Sequence, residues 1–231
     1  MINSKSVYVI IPALNESKSI EKVINDIPDF VDEIVVVDNG STDDTFETAA
    51  KAGATVLTEP EKGYGAACLL GIEYISNKNP AIVVFLDGDY SDYPEEMDEL
   101  IKPILEKDID MVIGSRIIGK RENGALLPQA IFGNRLSSFL IRMFWDYTFT
   151  DLGPFRAIKF NKLMSLGMQD RNFGWTVEMQ IKAAKQKLTY KEIPVSYRKR
   201  IGSSKVTGTF AGTIKASYKI LATIVKHVFI N

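Results

Sequence analysis

The sequence predicts an α/β fold: a doubly wound, mainly parallel sheet with helices on both faces. Two observations predict it. Five short runs between residues 7 and 114 are almost wholly apolar, as strands are when helices cover both sides of a sheet. Between those runs, apolar residues recur at helical spacing. The first strand is "VYVIIP" (7–12). The segment "ESKSIEKVINDI" then sets Ile20, Val23, Ile24 and Ile27 on one helical stripe. "EIVVVD" (33–38) is the second strand. The helix in "STDDTFETAAKAG" takes Ser41 or Thr42 as its cap and Gly53 as its stop. "ATVL" (54–57) is the third strand and "GAACLLGIEYISN" the third helix. "AIVVFL" (81–86) is the fourth strand. "PEEMDELIKPILEK" (94–107) opens with proline and acids, as helix starts do. "DMVIG" (110–114) is the fifth strand. Residues 117–231 elaborate this unit with a helix, a return to the sheet near "FRAIKF", a helix "WTVEMQIKAAKQK" and a strand "TYKEIPVSY". One domain spanning 1–231 is expected.

Composition narrows the function. The 231 residues are 45% hydrophobic, which supports a substantial core. A net charge of -1 argues against a nucleic-acid partner. The one cysteine, Cys68, excludes an internal disulfide and indicates a reducing, cytoplasmic setting. With one histidine, His227, zinc sites and serine–histidine chemistry lack their usual parts. No signal peptide fits the N-terminal segment, and no run reaches the roughly 18 apolar residues of a spanning helix.

In doubly wound sheets, ligands bind beyond the C-terminal strand ends. The loops there are "PALNES", "DNGSTDD", "EPEKGYG", "DGDYSD" and "GSRIIG", rich in Asp, Asn, Ser, Gly and Lys. Asp87 and Asp89 are one residue apart after the fourth strand. On extended backbone, residues i and i+2 point the same way, so two such carboxylates can share a Mg²⁺ or Mn²⁺ whose other ligands are substrate phosphates. A solvated turn capping the next helix would read similarly. Asp38 ends the second strand, where a carboxylate can accept hydrogen bonds from a base or ribose, or else cap the next helix. Pro12, Ala13 and Leu14 offer a surface for a base, with Asn15 and Glu16 as polar contacts. Lys62, Gly63 and Gly65 sit in "EKGYGAA", which lacks the spacing of a dinucleotide fingerprint.

Together, "IIPALNE", "VVVDNGSTDDT", "EKGYGAA", "DGD" and "VIGSR" resemble the family 2 glycosyltransferases. The similarity is closest to the dolichyl-phosphate mannose synthase-like, or polyprenol-phosphate glycosyltransferase, branch. It is strong over residues 7 to 116 and continues through "TDLGPFRAIKF" and "KEIPVSYRKRIGSSKV". The resemblance implies a GT-A fold, a UDP- or GDP-sugar donor bound by residues 1–116, a divalent metal, and inversion at the anomeric carbon. It implies that Pro12, Ala13, Asn15, Glu16 and Asp38 hold the nucleoside, with Lys62 and Gly63 beside the base. Asp87, Gly88 and Asp89 would form the metal and ribose contact, and Arg116 would face a phosphate. Where the branch often has "DADLQHPPE", this chain has "DGDYSDYPE". Ser91 thus replaces a glutamine near the metal. The C-terminal membrane helices of many relatives are also missing.

The acceptor side has two apolar stripes. In 129–147, Phe132, Leu136, Phe139, Leu140, Met143 and Tyr147 share one helical face, flanked by Arg135 and Arg142. This reads as a core helix with snorkelled arginines, or as a membrane-facing helix with Arg135 near an acceptor phosphate. In 210–228, Phe210, Ile214, Tyr218, Leu221, Ile224, Val225 and Val228 lie opposite Lys215, Lys219 and Lys226. Such a helix can lie in a membrane interface, or dock on the domain or on a second subunit as a homodimer contact. The basic loop "YRKRIGSSKVTG" (197–208) reads as a lid over the diphosphate, with Arg200 and Lys205 as its contacts. Asp151 and Glu178 are candidate bases for a hydroxyl acceptor, or orienting partners for Arg and Lys; an acceptor phosphate needs no base. Trp175 could stack on a sugar or pack in the core. The expected activity is inverting transfer of a sugar to a lipid-linked phosphate at the inner face of the cell membrane. A transferase acting on a hydroxyl acceptor, or a non-catalytic sugar-nucleotide-binding protein, are the alternatives.

Overall fold

The structure, a computed structural model, describes residue 2, residues 5–202 and residues 210–229. Seven strands form one sheet: β1 (Val7–Ala13), β2 (Glu33–Asp38), β3 (Thr55–Thr58), β4 (Ile82–Phe85), β5 (Met111–Ser115), β6 (Arg156–Lys159) and β7 (Tyr190–Pro194). Their order is β3-β2-β1-β4-β6-β5-β7. Every pairing is parallel except those of β6, which runs antiparallel to both β4 and β5. This is the doubly wound, mainly parallel α/β sheet that the sequence predicts.

Helices α1 (Ile20–Asn25), α2 (Thr45–Lys51), α3 (Tyr64–Ser76) and α4 (Met97–Lys107) connect the first five strands. Then come α5 (Pro128–Trp145), α6 (Phe160–Leu166), α7 (Trp175–Lys185) and α8 (Phe210–Phe229). Two apolar cores flank the sheet. One takes Ile10, Val83 and Phe85 against Cys68, Ile75 and Trp175; the other takes Val9, Ile11 and Val84 against Ile20, Leu100 and Ile101. The alternation follows from the strand period of two, which sends successive side chains to opposite faces.

The five apolar runs form strands within a residue or so of the expected bounds. Two details differ, and two more fall between alternatives the sequence left open. Helix α2 begins at Thr45, because Ser41 and Thr42 are engaged with the neighbouring loop instead of capping. Helix α6 follows β6 directly and carries too short a stripe to stand out. Trp175 is a core residue, 1% exposed and edge-on to Phe85 at 5.9 Å, so it offers no face to a sugar. Helix α5 buries Asn134, Ser137, Ser138 and Ile141 and leaves Phe132 (69%) and Phe139 (61%) exposed. Of its apolar stripe, Leu140 and Tyr147 pack partly buried against the core, while Phe132, Phe139 and Met143 face out. Helix α8 packs on α5 and α7 while exposing Tyr218, Val225 and Phe229. The Phe210 and Ile214 side chains lie outside the described residues.

Candidate active site

The site forms at the C-terminal edge of the sheet, where β1, β2, β4 and β5 deliver their following loops. β6 runs the other way and delivers the loop before it, residues 151–155, to the same edge. Arg156 at its start pairs with both Phe85 and Ile113. Two cavities meet there. The first, about 270 Å³, is lined by Pro12, Ala13, Leu14, Glu16, Asn39, Lys62, Gly63 and Gly88. The second, about 520 Å³, is lined by Arg116, Leu126, Leu127, Asn134, Tyr197 and Lys199, with Ala216 and Ile220 of α8. Tyr64, Asp87, Asp89, Phe173 and Arg200 line both.

The loops around the first cavity hold one another. Asn15 adopts a left-handed φ of 54°. Its amide donates to the Ser41 hydroxyl at 2.8 Å, and its side-chain oxygen accepts from the Thr42 amide at 2.7 Å. Asn15 is exposed and joins the loops. Asp38 is buried beside Ala13 at the end of β2, accepts from the Ser41 amide at 3.3 Å, and does not line the cavity. The polar wall comes instead from Asn39, which donates to the carbonyls of Glu59 and Glu61 and accepts from the Gly63 amide. Side chains at Gly63 and Gly65 would collide with the carbonyls of Arg171 and Asp170, so both positions require glycine.

At the junction, Asp89 accepts from the Ser91 amide at 2.8 Å and pairs with Arg200 at 2.8 Å. Arg200 also reaches Glu16 at 3.4 Å. Residues 197–201 are zipped along 89–92: Arg198 N donates to the Ser91 carbonyl and Ile201 N to that of Asp89. The Arg198 guanidinium stacks 3.3 Å from the Tyr90 ring centroid. This pairing is why Arg200 arrives in the site. Lys205, Ser203 and Ser204, expected in the same lid, lie outside the described residues.

Asp87 is half-buried at the junction of the two cavities, and its buried Oδ1 has no hydrogen-bond partner. Burial first, then the Asp89 charge, push its carboxyl up to about 7. Buried Asp92 has no hydrogen-bond partner for either oxygen; burial, then Asp87, push it well above the carboxylate range. The Tyr64 hydroxyl is likewise buried and unpartnered. Asp87 and Asp89 are the two acidic residues that line both cavities. No group of three or more His, Cys, Asp or Glu that could hold a metal occurs among the described residues.

The two candidate bases are otherwise engaged. Asp151 is wholly buried and accepts from Arg116 at three atoms: N (2.9 Å), Nε (2.7 Å) and Nη2 (2.8 Å). Asn134 Nδ2 also donates to it, at 2.5 Å. Burial pushes its pKa up, but Arg116 outweighs this and holds it below the ordinary value. These contacts hold the Arg116 side chain, which lines the second cavity. Glu178 lies in a separate cavity, accepts from the Gln169 and Asp170 amides, and pairs with Lys182 at 2.8 Å. Arg135 is exposed and does not line the second cavity, whereas its neighbour Asn134 does. Sequence reasoning passed over Tyr64, Asn39, Asn134 and Phe173, all of which lie in or beside quoted motifs.

The chain was compared with known proteins. A solved glucosyl-3-phosphoglycerate synthase of Mycobacterium tuberculosis, in complex with Mn²⁺, UDP and phosphoglyceric acid, superposes with a TM-score of 0.79 at 23% identity, over 99% of this chain and 80% of that one. An uncharacterized glycosyltransferase of the same organism is 35% identical over 213 residues, covering 91% of this chain and 94% of its own. A UDP-N-acetylglucosamine–dolichyl-phosphate N-acetylglucosaminyltransferase of Methanococcus voltae is 29% identical, covering 83% of this chain and 85% of its own. The "Glycosyl transferase family 2" model matches residues 8–167. With its strand-end carboxylates, its two joined cavities and these relatives, the chain belongs to glycosyl transferase family 2.

Proposed function

We propose that the protein is an inverting, metal-dependent glycosyltransferase that moves a sugar from a UDP-sugar to the phosphate of a polyprenyl-type lipid. One observation carries the acceptor. Among the described residues, the only carboxylates lining the second cavity are Asp87 and Asp89, while Arg116, Lys199 and Arg200 give it positive charge. A hydroxyl acceptor needs a positioned base; a phosphate is already anionic and needs none. The cavity is walled by α5 and α8, helices that carry most of the exposed large apolar side chains among the described residues. A lipid tail would lie there.

The residues present fit a divalent cation. Asp87 has a buried oxygen without a partner, and the Asp89 oxygen that holds Arg200 shows that the pair draws positive charge. Asp87 and Asp89 would hold Mg²⁺ or Mn²⁺, which when bound neutralises charge building on the diphosphate leaving group. Two protein carboxylates suit a cation that keeps phosphate and water ligands. Pro12, Ala13, Glu16, Asn39 and Lys62 line the nucleoside cavity, and Arg200 supplies charge beside the diphosphate. Arg116, fixed by Asp151, faces the acceptor phosphate.

Release of UDP from a panel of UDP-sugars with Mn²⁺ would be followed with three acceptors: a short polyprenyl phosphate, 3-phosphoglycerate and a simple glycoside. Turnover with the polyprenyl phosphate alone is expected. Turnover only with the glycoside would overturn the acceptor reading. Turnover with 3-phosphoglycerate would favour a small phosphorylated acid in the same Arg116 cavity. That second reading draws on the phosphoglyceric acid bound in the solved synthase.

A further inference from the structure

The cavity that contains Glu178 sits behind the donor roof, between the 169–174 loop, α7 and α8. The loop spans the two halves of the site. Its Phe173 lines both substrate cavities and its Asn172 lines the donor cavity. Its backbone lies directly on α3, with the Arg171 carbonyl accepting from the Ala66 amide at 2.9 Å. Glu178 holds the Gln169 and Asp170 amides from α7. The Asp170 carboxylate turns the loop inward by accepting from the Asn172 amide at 2.7 Å and the Gly174 amide at 3.1 Å. The other Asp170 oxygen receives Lys219 of α8 at 2.9 Å. α8 reaches both substrates through adjacent residues: Ala216, Ser217 and Ile220 wall the acceptor cavity, and Lys219 between them grips the donor roof.

We propose that the Lys219–Asp170 ion pair makes Lys219 a positioning residue for the donor, so that seating of α8 and binding of the nucleotide favour one another. The proposal rests on the donor assignment above. The physical reason is that the Asp170 side chain is 7% exposed and sets the turn carrying Asn172 and Phe173, whereas its partner Lys219 comes from α8, an element far from α3 and from the loop in sequence. Coupling of this kind is reciprocal: if a seated α8 tightens nucleotide binding, bound nucleotide must hold α8 to the same extent. Anything that presses α8 onto the body, an acceptor in its cavity included, would then raise donor affinity.

The test uses the full chain and UDP, with GDP in parallel, each with Mn²⁺, read by calorimetry. Lys219→Ala is expected to weaken nucleotide binding roughly three- to five-fold, the scale of a partly exposed ion pair. Lys219→Arg should restore affinity to within about twofold. In steady state, the KM for donor should rise while kcat stays level. Amide exchange across α8 should slow on adding UDP and Mn²⁺ to the wild type, and not in Lys219→Ala. A merely structural role would lower the melting temperature and move none of these. Wild-type affinity in Lys219→Ala, with UDP-independent exchange in α8, would overturn the coupling and leave the donor assignment standing. A wild type that binds neither UDP nor GDP would overturn both.

Discussion

Replacing Asp151 with asparagine separates two roles that a single carboxylate can play. Its two oxygens take four hydrogen bonds, three from Arg116 and one from Asn134, at distances of 2.5–2.9 Å. The Asp151 side chain is 0% exposed and that of Arg116 is 11% exposed. An asparagine keeps the volume, loses the charge, and presents an amide NH₂ to a guanidinium that can only donate. Arg116 would be left nearly buried without its counter-charge. Breaking such a pair from one side costs about 3–5 kcal/mol, a large share of the roughly 5–15 kcal/mol by which domains are stable. Urea unfolding of Asp151→Asn should therefore show a midpoint well below that of the wild type. Turnover of whatever folded fraction remains should fall mainly through a raised acceptor KM, as Arg116 loses its aim. If Asp151 were the base for a hydroxyl acceptor, the variant would keep its stability and lose kcat by orders of magnitude with KM unchanged. That pair of results would refute the assignment of Asp151 as the residue that fixes Arg116.

Three further outcomes are expected. Burial, then the Asp89 charge, raise the Asp87 pKa from 3.8 unfolded to about 7 folded, so the folded state binds that proton more tightly. This group's contribution is thus fully stabilising below about pH 4 and is lost as pH rises to about 7. A cation competes with the same proton, so Mn²⁺ affinity should fall as pH drops below about 7, and the rise in melting temperature on adding Mn²⁺ should be largest above it. Scanning calorimetry with and without Mn²⁺ across pH checks both; a Mn²⁺ shift independent of pH would contradict them. Gly65→Ala drives a Cβ into the Asp170 carbonyl, and overpacking of this kind costs about 1–3 kcal/mol. It should also weaken UDP binding, measurable by calorimetry, while Gly53→Ala, with open space around it and a φ of +95°, should affect stability alone. Phe139→Glu, at a position 61% exposed, should leave the melting temperature within a degree or two and reduce flotation with anionic liposomes, whose dependence on salt should persist through Arg135, Arg142 and Lys226.

The first half of the fold was legible because each strand is a short apolar run with a polar loop at its C-terminal end. "AIVVFL" followed by "DGDYSD" states both the strand and the site. Glu16, Lys62, Asp87, Asp89 and Arg200 come together as their motifs suggest. The reversed direction of β6 was not legible, because "RAIK" reads the same either way and only its neighbours fix its sense. The apolar stripe of α5 was visible, but not how it divides between the core, which takes Leu140 and Tyr147, and the surface, which keeps Phe132, Phe139 and Met143. The buried side is Asn134, Ser137, Ser138 and Ile141, of which Asn134 lines the second cavity. Asp151 and Glu178 looked like candidate bases because a one-dimensional string does not show which carboxylates are already engaged. Arg116 and Lys182 decide that in three dimensions.

The placement of β6 also orders events during synthesis. β1, β2, β3 and β4 can pair as soon as residue 85 is available. β5 has no such neighbour, since its partners are β6 and β7, which end at Lys159 and Pro194. At roughly 5–20 residues per second, the apolar run Met111–Ser115 waits on the order of several seconds on the ribosome before β6 appears between it and β4. During that interval its unpaired edge is the part of the nascent chain most exposed to wrong partners. A stalled nascent chain ending near residue 120 should thus bind a chaperone holdase through this segment and release it once the chain passes residue 160. The antiparallel strand that brings Asp151 and Arg156 to the site is also what makes the sheet incomplete until more than two thirds of the chain has been made.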